Sequence, residues 1–307
     1  MSMLTVGVDV GGTSTRVGLV DAAGAIVRFT ATATPQGPVA VTKLVINEIE
    51  AIIADGGGEV GAIGVGIPGR IDPAAGTVSM AVNLDVVEPL ALGPALAQHF
   101  EVPVMLGNDV DVAALGVHQH IGGGDGSLAY FSIGTGFAAG LVLNGQLHRG
   151  VGGAGEIGHL PVPGGTARCS CGQIGCAETL ASGGAMLRAW GRDDADIEQL
   201  WDAADAGDEH ARAIRAAAID TIAWTVQCTV MLLDVERIVL GGGVTRLDRR
   251  LLNPLTDRLR EREAMSPLLP TYRMSDRVML ADSGTEYGVI GAAAIARVSA
   301  ATKAPPS

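Results

Sequence analysis

The sequence predicts an α/β protein with two similar lobes, and three observations support this prediction. The chain has 307 residues, which is enough for two hydrophobic cores. Two β-rich hairpins with glycine and threonine at their tips begin at residues 4 and 128. Glycine-rich turns join other apolar strand segments to helical segments, as α/β folds require. A duplicated lobe is the simplest explanation of the repeated hairpin.

The first hairpin has the features of a phosphate-binding turn. A β-rich run at residues 4–10 is followed by Gly11-Gly12-Thr13 and by a second run at 16–21. Glycine lets the backbone approach an anion closely, Thr13 adds a hydroxyl donor, and Asp9 is placed to hold Mg²⁺ bridged to phosphate. A hairpin that ends in glycines without binding a ligand has the same sequence pattern, so both interpretations stay open for this hairpin alone.

The second hairpin repeats the pattern. Residues 128–133 and 137–143 are β-rich and flank Gly134-Thr135-Gly136. The recurrence favours phosphate binding, because two such hairpins on either side of a cleft would hold a polyphosphate with the nucleotide between the lobes.

A third glycine cluster, Gly241-Gly242-Gly243, follows the β-rich run 237–240. This strand-to-helix turn suits close approach of an adenosine, and a plain tight turn is the competing interpretation. Only two of the 21 basic residues are lysines, Lys43 and Lys303, so a phosphate-binding loop of the Gly-Lys-Ser/Thr type is absent from the sequence. Backbone N–H groups, hydroxyls, helix N-termini and a metal ion are then expected to hold phosphate.

Asp109 is the candidate general base. An apolar run at 102–107 predicts a strand, and an alanine-rich helix is predicted to begin at Asn108 or Asp109. Open α/β sheets place catalytic groups at the carboxyl ends of strands, so Asp109 is positioned to accept the proton of an attacking hydroxyl. Asp111 is expected to be an ordinary helix N-cap.

Three of the four cysteines, Cys169, Cys171 and Cys176, lie within eight residues and follow His159. Three thiolates and one imidazole complete a closed tetrahedral zinc site, which shapes a protein rather than performing chemistry. Reduced thiols in a glycine-rich loop are the alternative, but a loop with so little apolar content has no core of its own. Zinc is therefore favoured, and Cys228 is expected to be a small core residue.

Composition excludes several classes of protein. The net charge of −12 argues against nucleic-acid binding, which requires a basic face. No uncharged apolar run of eighteen residues and no export signal is recognised, so a cytoplasmic protein is expected. Clustered thiols in a reducing compartment also indicate metal ligands rather than disulfides.

Taken together, the motifs resemble those of the ROK family of sugar kinases, repressors and related proteins, in order and spacing across nearly the whole chain. The matching motifs are Asp9-Val10-Gly11-Gly12-Thr13, Asn108-Asp109, Gly134-Thr135-Gly136, Gly155-Glu156-Ile157-Gly158-His159 and the cysteine segment 169–178.

The resemblance implies a two-lobed actin-like ATPase (ribonuclease H-like) fold. Residues 1–107 plus 288–303 would form the first lobe, and 108–287 the second lobe with the zinc loop. The implied reaction is ATP-dependent phosphorylation of the terminal hydroxyl of a hexose, with glucose the first candidate and with ATP, Mg²⁺ and structural Zn²⁺ as cofactors.

The resemblance also assigns site residues. Asp109 matches the catalytic base. The implied sugar ligands are Asn83, Asn108, Asp109, Glu156, His159 and Glu178. The implied nucleotide and phosphate contacts are Asp9, Gly11, Gly12, Thr13, Thr135, Gly136, Gly241 and Gly242. The implied zinc ligands are His159, Cys169, Cys171 and Cys176, so that His159 serves both zinc and sugar.

Alternatives remain at the level of substrate and class. N-acetylglucosamine, N-acetylmannosamine and fructose compete with glucose. A catalytically weak sugar-sensing protein is the alternative of another class. It is supported by Ala138, where the family usually has glycine, and by the segment after Asn83, which lacks a tryptophan often seen in glucokinase-like members. A repressor is disfavoured, because the first hairpin begins at residue 4 and the charge is acidic. A homo-oligomer, dimer or tetramer, is expected from the family.

Overall fold

The computed structural model describes residues 3–56, 58–192 and 194–303. The strands are β1 (Leu4–Val10), β2 (Ser14–Val20), β3 (Ile26–Ala33), β4 (Val60–Ile67), β5 (Arg70–Asp72), β6 (Thr77–Ser79), β7 (Val104–Asn108), β8 (Leu128–Ile133), β9 (Phe137–Leu143), β10 (Gln146–Leu147), β11 (Arg237–Gly241) and β12 (Val278–Leu280). The α-helices are α1 (Pro38–Gly56), α2 (Leu92–Phe100), α3 (Asp109–His120), α4 (Glu178–Ala181), α5 (Gly183–Trp190), α6 (Ile197–Asp205), α7 (Glu209–Leu233), α8 (Arg249–Glu263), α9 (Met274–Arg277) and α10 (Tyr287–Lys303).

One compact unit contains residues up to 124, residues 145–152 and residues from 284 onward. Its sheet has the order β3-β2-β1-β4-β7. The pairs β1–β4 and β4–β7 are parallel, and β2 is antiparallel to both of its neighbours, β1 and β3. Alternate valines and isoleucines of β1 and β4 point to one face and form a core with α1 and α2. The opposite face carries α10, with Val289 and Ala293 buried against Val20.

The second unit contains residues 125–144 and 153–283. Its strands β9-β8-β11-β12 pair in that order, with β8, β11 and β12 parallel and β9 antiparallel. The strands β2-β1-β4-β7 of the first unit pair in the same order and with the same directions. The duplicated lobe predicted from the two hairpins is therefore confirmed. Helices α4 to α9 complete a core in which Phe131 and Trp201 are among the largest buried side chains.

The unit boundaries differ from those that the resemblance implied. Residues 108–124, including α3, group with the first unit rather than the second, and so do residues 145–152. The physical reason lies in α3 and α10, which pack backbone to backbone where Gly116 meets the Tyr287 carbonyl and Gly291 meets the Val112 carbonyl.

Helix α7 begins directly after Gly207-Asp208, where the Asp208 side chain accepts hydrogen bonds from the His210 and Ala211 N–H groups. Among the described helices, α7 is long and apolar enough, by length and composition alone, to cross a membrane. Half of its most apolar stretch, 50%, is buried inside the structure, and a core helix passes the same test.

Candidate active site

The carboxyl ends of three parallel strands meet at one edge of the first unit. Asp9 near the end of β1 pairs in register with Gly66 of β4, and Gly66 pairs with Gly107 of β7. Asn108 and Asp109 follow Gly107 directly. The topology therefore brings Asp9 and Asp109 to the same sheet edge, which is where open α/β sheets bind ligands.

Asn108 is the N-cap of α3. Its Oδ1 accepts hydrogen bonds from the Val110 N–H at 3.0 Å and the Asp111 N–H at 3.4 Å, and its Nδ2 donates to the Gly69 carbonyl at 3.3 Å. The prediction that Asp111 is an N-cap is therefore wrong. The Asp111 carboxylate instead lies 3.6 Å from Nε of Arg149. Asp109 is the first residue of the helix, at the strand-to-helix transition that the sequence predicted.

Asp9 has a perturbed pKa. Burial, and after it the negative charge of Asp109, raise the pKa of its carboxyl to about 7 against the opposing effect of the Arg16 guanidinium. Arg16 Nη1 lies 3.6 Å from Asp9 Oδ2, and Arg16 Nε lies 3.3 Å from Glu286 Oε2. Arg16 thus pairs with two carboxylates, and the charge of Asp109 also acts on Asp9. A divalent cation fits the chemistry of this acidic donor set. Sequence reasoning missed Arg16 and Glu286.

The tip of the first hairpin lies beside Asn83. A Cβ atom built on Gly12 would lie 3.0 Å from Asn83 Nδ2, so any larger residue would displace the amide. Asn83 is exposed in a short 3₁₀ helix, Val82–Leu84, and Thr13 is exposed at the tip. A candidate sugar ligand and a candidate phosphate-binding turn are therefore neighbours within this unit.

The tip of the second hairpin rests on α4 and α5. The Gly134 carbonyl accepts a hydrogen bond from the Gly183 N–H at 2.7 Å, and Glu178 Oε2 accepts one from the Phe137 N–H at 3.0 Å. Gly136 has no side chain to obstruct that carboxylate, since a Cβ there would lie 2.9 Å from Glu178 Oε2. Sequence reasoning missed Gly183, although Ser182-Gly183-Gly184 combines a capping serine with two glycines.

The third glycine cluster forms a strand-to-3₁₀ turn. The Tyr130 ring occupies the space that a Gly241 side chain would need, and Gly242 has a φ of +88°. Internal packing and backbone conformation thus account for glycine at both positions. A Cβ on Gly243 would meet nothing within 4 Å, so this turn has open space beside its third glycine.

The predicted zinc ligands form one cluster. The ligand atoms of His159, Cys169, Cys171 and Cys176 all lie within 4.8 Å of one another. Cys171 Sγ lies 3.6 Å from Cys176 Sγ, and Cys169 Sγ lies 3.7 Å from His159 Nδ1. Tetrahedral zinc with Zn–S bonds of about 2.3 Å separates its ligand atoms by about 3.8 Å. The four residues therefore fit a structural zinc ion.

The loop geometry helps to form this cluster. The Cys169 N–H donates to the Gln173 carbonyl at 2.9 Å, which closes a tight turn between the first two cysteines and the rest of the loop. A hydrogen bond from the Gln173 backbone N–H lowers the pKa of Cys171 to about 7, whereas burial raises that of Cys176 to about 12. Metal binding requires the thiolate at both positions, so zinc must displace a proton from buried Cys176.

His159 is oriented by both of its ring nitrogens. Nδ1 faces Cys169, and Nε2 lies 3.9 Å from Glu156 Oε2. The segment that carries both residues lies against β9, where the Ala139 N–H donates to the Gly155 carbonyl at 2.8 Å and Gly158 meets the Phe137 carbonyl. A ring fixed through Nδ1 can present Nε2 to a ligand in a set direction.

The candidate residues thus assemble in two groups. The first unit brings together Asp9, the first hairpin tip, Asn83, Asn108 and Asp109 at one end of its sheet. The second unit brings together the second hairpin tip, Glu178, and the zinc cluster with Glu156. Each group combines backbone N–H groups suited to phosphate with amide, carboxylate or imidazole groups suited to sugar hydroxyls.

Known proteins match this chain along its length. The family model described as the ROK family matches residues 5–299. The glucokinase of Thermotoga maritima is 30% identical over 312 residues, covering 94% of this chain and 96% of the relative. The N-acetylmannosamine kinase of Vibrio cholerae is 30% identical over 251 residues, covering 79% and 84%. A crystal structure of a ROK family glucokinase from Streptomyces griseus, in complex with glucose and AMPPNP, has a TM-score of 0.76 and 29% identity, covering 96% and 99%.

The family match covers nearly all of the chain, and the structural match extends over both units. The two-lobed α/β architecture is the actin-like ATPase fold, and the activity is that of an ATP-dependent sugar kinase. The chain therefore belongs to the ROK family.

Proposed function

We propose that this kinase phosphorylates the terminal hydroxyl of glucose, with Asp109 as the general base. The observation that carries the proposal is the position of Asp109 at the first residue of α3, at the same sheet edge as Asp9 and the first hairpin. A carboxylate there can accept the hydroxyl proton while the phosphoryl group is held in line.

The remaining roles follow from the chemistry of the side chains. Asn83, Asn108, Glu156, His159 and Glu178 offer donors and acceptors for the hydroxyls of a hexose. Asn108 Oδ1 and Glu178 Oε2 already accept backbone hydrogen bonds, so each is held in place before a sugar binds.

The nucleotide is assigned to the glycine turns. In this proposal Gly12, Thr13, Thr135 and Gly136 hold the phosphates through N–H and hydroxyl groups, and Gly241 and Gly242 line the adenosine. Gly11 lets the phosphates approach the turn closely, since its own N–H donates to the Ser14 carbonyl at 3.0 Å. Asp9 would hold Mg²⁺, which when bound neutralises charge on the phosphates. The zinc ligands His159, Cys169, Cys171 and Cys176 would fix the loop and orient the His159 ring.

One observation favours a second substrate class. The similarity to the Vibrio cholerae N-acetylmannosamine kinase is also 30% identity, so an N-acetylhexosamine is the alternative sugar. Choosing between sugars that differ by one hydroxyl or acetyl group depends on pocket shape and on unpaired polar groups, each of which costs about 1–3 kcal/mol.

The test measures ADP release with Mg-ATP across glucose, mannose, fructose, N-acetylglucosamine and N-acetylmannosamine. We expect the highest kcat/KM with glucose. Asp109→Asn should lower kcat by at least about 100-fold, because a positioned general base contributes that much. Asp111→Asn is the matched control, since it removes a carboxylate from the same helix that is paired with Arg149, and it should keep its kcat.

Each other outcome contradicts a defined part of the proposal. Unchanged kcat in Asp109→Asn would remove Asp109 from its role as base. A higher kcat/KM with an N-acetylhexosamine would replace glucose as the substrate. Saturable sugar binding without ADP release from any sugar would indicate a sugar-sensing protein.

A further inference from the structure

The tip of the second hairpin, residues 134–136, has hydrogen-bond donors for phosphate, but none of these donors carries a charge. Thr135 and Gly136 offer backbone N–H groups and one hydroxyl, while the Gly134 N–H donates to the Gly136 carbonyl at 3.0 Å. The Glu178 carboxylate adds a negative charge beside them. The phosphate chain of a nucleotide carries several negative charges, and the protein has a net charge of −12. A cation near this tip would offset that repulsion.

Helix α5 starts at this tip. The Gly183 N–H donates to the Gly134 carbonyl at 2.7 Å, and Ser182 Oγ accepts from the Ala185 N–H at 3.2 Å. This short connection fixes the first turn of α5 against the hairpin.

Arg188 lies one helical turn after Gly184 and on the same face of α5. The Cβ position of Gly184 is 2.9 Å from the Thr135 carbonyl oxygen and 3.1 Å from Arg188 Nη1. The Thr135 carbonyl and the Arg188 guanidinium thus both border the space beside Gly184. The Arg188 side chain therefore points back toward the N-terminus of α5 and reaches the hairpin tip.

The charge of Arg188 is available to a ligand. Within the described residues no salt bridge involves Arg188, whereas Arg16 beside the first hairpin is engaged with Asp9 and Glu286. Arg188 also lines a polar cavity of about 200 Å³ together with Arg168, Glu178, Ser170 and Thr179. Two guanidinium groups thus share a small concave space with one carboxylate, and that carboxylate accepts the Phe137 N–H.

We propose that Arg188 binds the phosphate chain of the nucleotide at the second hairpin tip, as the cation that a lysine supplies in other phosphate-binding loops. The proposal rests on the nucleotide role of Thr135 and Gly136 under the proposed function. A planar guanidinium suits this task because it donates two parallel hydrogen bonds to phosphate oxygens.

Isothermal titration with adenosine and with Mg-ADP separates phosphate contacts from base contacts. Arg188→Gln should weaken ADP binding about tenfold, the loss expected for one charge-assisted contact, and leave adenosine binding unchanged. Arg188→Lys should recover part of the loss. Arg192→Gln is the matched control, because Arg192 is an exposed arginine that stacks on Trp190 just after the end of α5, and it should bind ADP as the wild type does.

Equal losses for adenosine and ADP in Arg188→Gln, or no loss for either, would overturn the proposal, and so would a loss confined to sugar binding. Sugar-dependent ADP release by the wild type is measured on the same preparation. If the wild type shows no release, the proposed function fails, and the ADP titrations still decide the role of Arg188.

Discussion

Asp9 is the residue whose environment has the clearest consequence in solution. Burial and the nearby Asp109 carboxylate raise its pKa to about 7, well above the ordinary aspartate value of 3.8 in the unfolded chain. The folded protein therefore binds the proton more tightly than the unfolded chain does. The stabilisation from protonated Asp9 is complete below about pH 4 and is lost as the pH rises through about 7.

Asp9→Asn should consequently raise the melting temperature of the metal-free protein at pH 8 and raise it less at pH 5, where only part of the stabilisation from the protonated carboxyl has been lost, while kinase activity falls. Each unit of pKa difference corresponds to about 1.4 kcal/mol, so the gain at pH 8 is measurable by calorimetry. Asp72→Asn is the control, since Asp72 is exposed at the end of β5. An equal change in melting temperature at both pH values would show that burial does not destabilise the ionised form of Asp9.

Sequence reasoning at the residue scale was limited by distance along the chain. It placed Asp109 at the helix start, because strand-ending glycine and alanine-rich sequence are local signals. It predicted Asp111 as an N-cap, whereas the N-cap is Asn108. Asparagine and aspartate have similar capping preferences, and only the position where β7 ends distinguishes the two residues. The Arg16–Glu286 pair has no local signal, since its members are brought together only by the packing of α10.

At the scale of elements, the cysteine loop has almost no apolar core of its own. Cys169 and Cys176 are buried, whereas Cys171 and the residues around it are exposed. A metal ion can replace the missing core, because its binding free energy becomes folding free energy. The loop in turn positions His159 and, through the start of α4, Glu178.

Cys171→Ser should therefore lower the zinc content and the melting temperature, the latter by about 2–4 °C for each kcal/mol lost in a unit of this size. Metal analysis and thermal unfolding check this, with KM for sugar as a third readout. Cys228→Ser is the matched control, because this half-buried cysteine of α7 lies outside the cluster. A chelator should lower the melting temperature of the wild type and not that of Cys171→Ser.

If chelation changes neither the melting temperature nor the sugar KM of the wild type, the cluster is not a structural zinc site. The loop was predictable because cysteine spacing is a strong local pattern. Helix α5 was not, since it has only eight residues and begins with two glycines, which weaken any helical pattern. The role of its start is visible only from its hydrogen bond to the hairpin.

At the scale of the whole molecule, the first unit is built from both ends of the chain. Gly7 of β1 and Gly64 of β4 lie directly against the backbone carbonyls of Val289 and Ala292 in α10. The helix thus covers one face of the sheet with no side-chain layer between them on these strands. The duplicated strand order was predictable from the repeated hairpins, but the extent of this unit was not, because small-residue packing between distant segments leaves no periodic pattern.

A chain that ends at Ser283 should therefore lose the ordered sheet of the first unit and keep that of the second. Hydrogen exchange can test this, since amides of β1 and β4 should be protected in the full chain and exchange rapidly in the shortened one, while β8 and β11 stay protected in both. Equal protection of β1 and β4 in the two chains would show that the sheet is stable without α10.

The docking of α10 also sets an order of events on the ribosome. The strands of this sheet are synthesised before the second unit, whereas α10, which covers one face of them, is synthesised after it. The apolar residues on that face therefore stay exposed while the intervening residues 109–286 are translated. Residues 153–283 emerge as one continuous block and can fold before the first unit is complete. Between the synthesis of β7 and that of α10, the face of the sheet that α10 covers is therefore exposed, and we expect chaperones that bind emerging hydrophobic segments to bind the nascent chain at this stage.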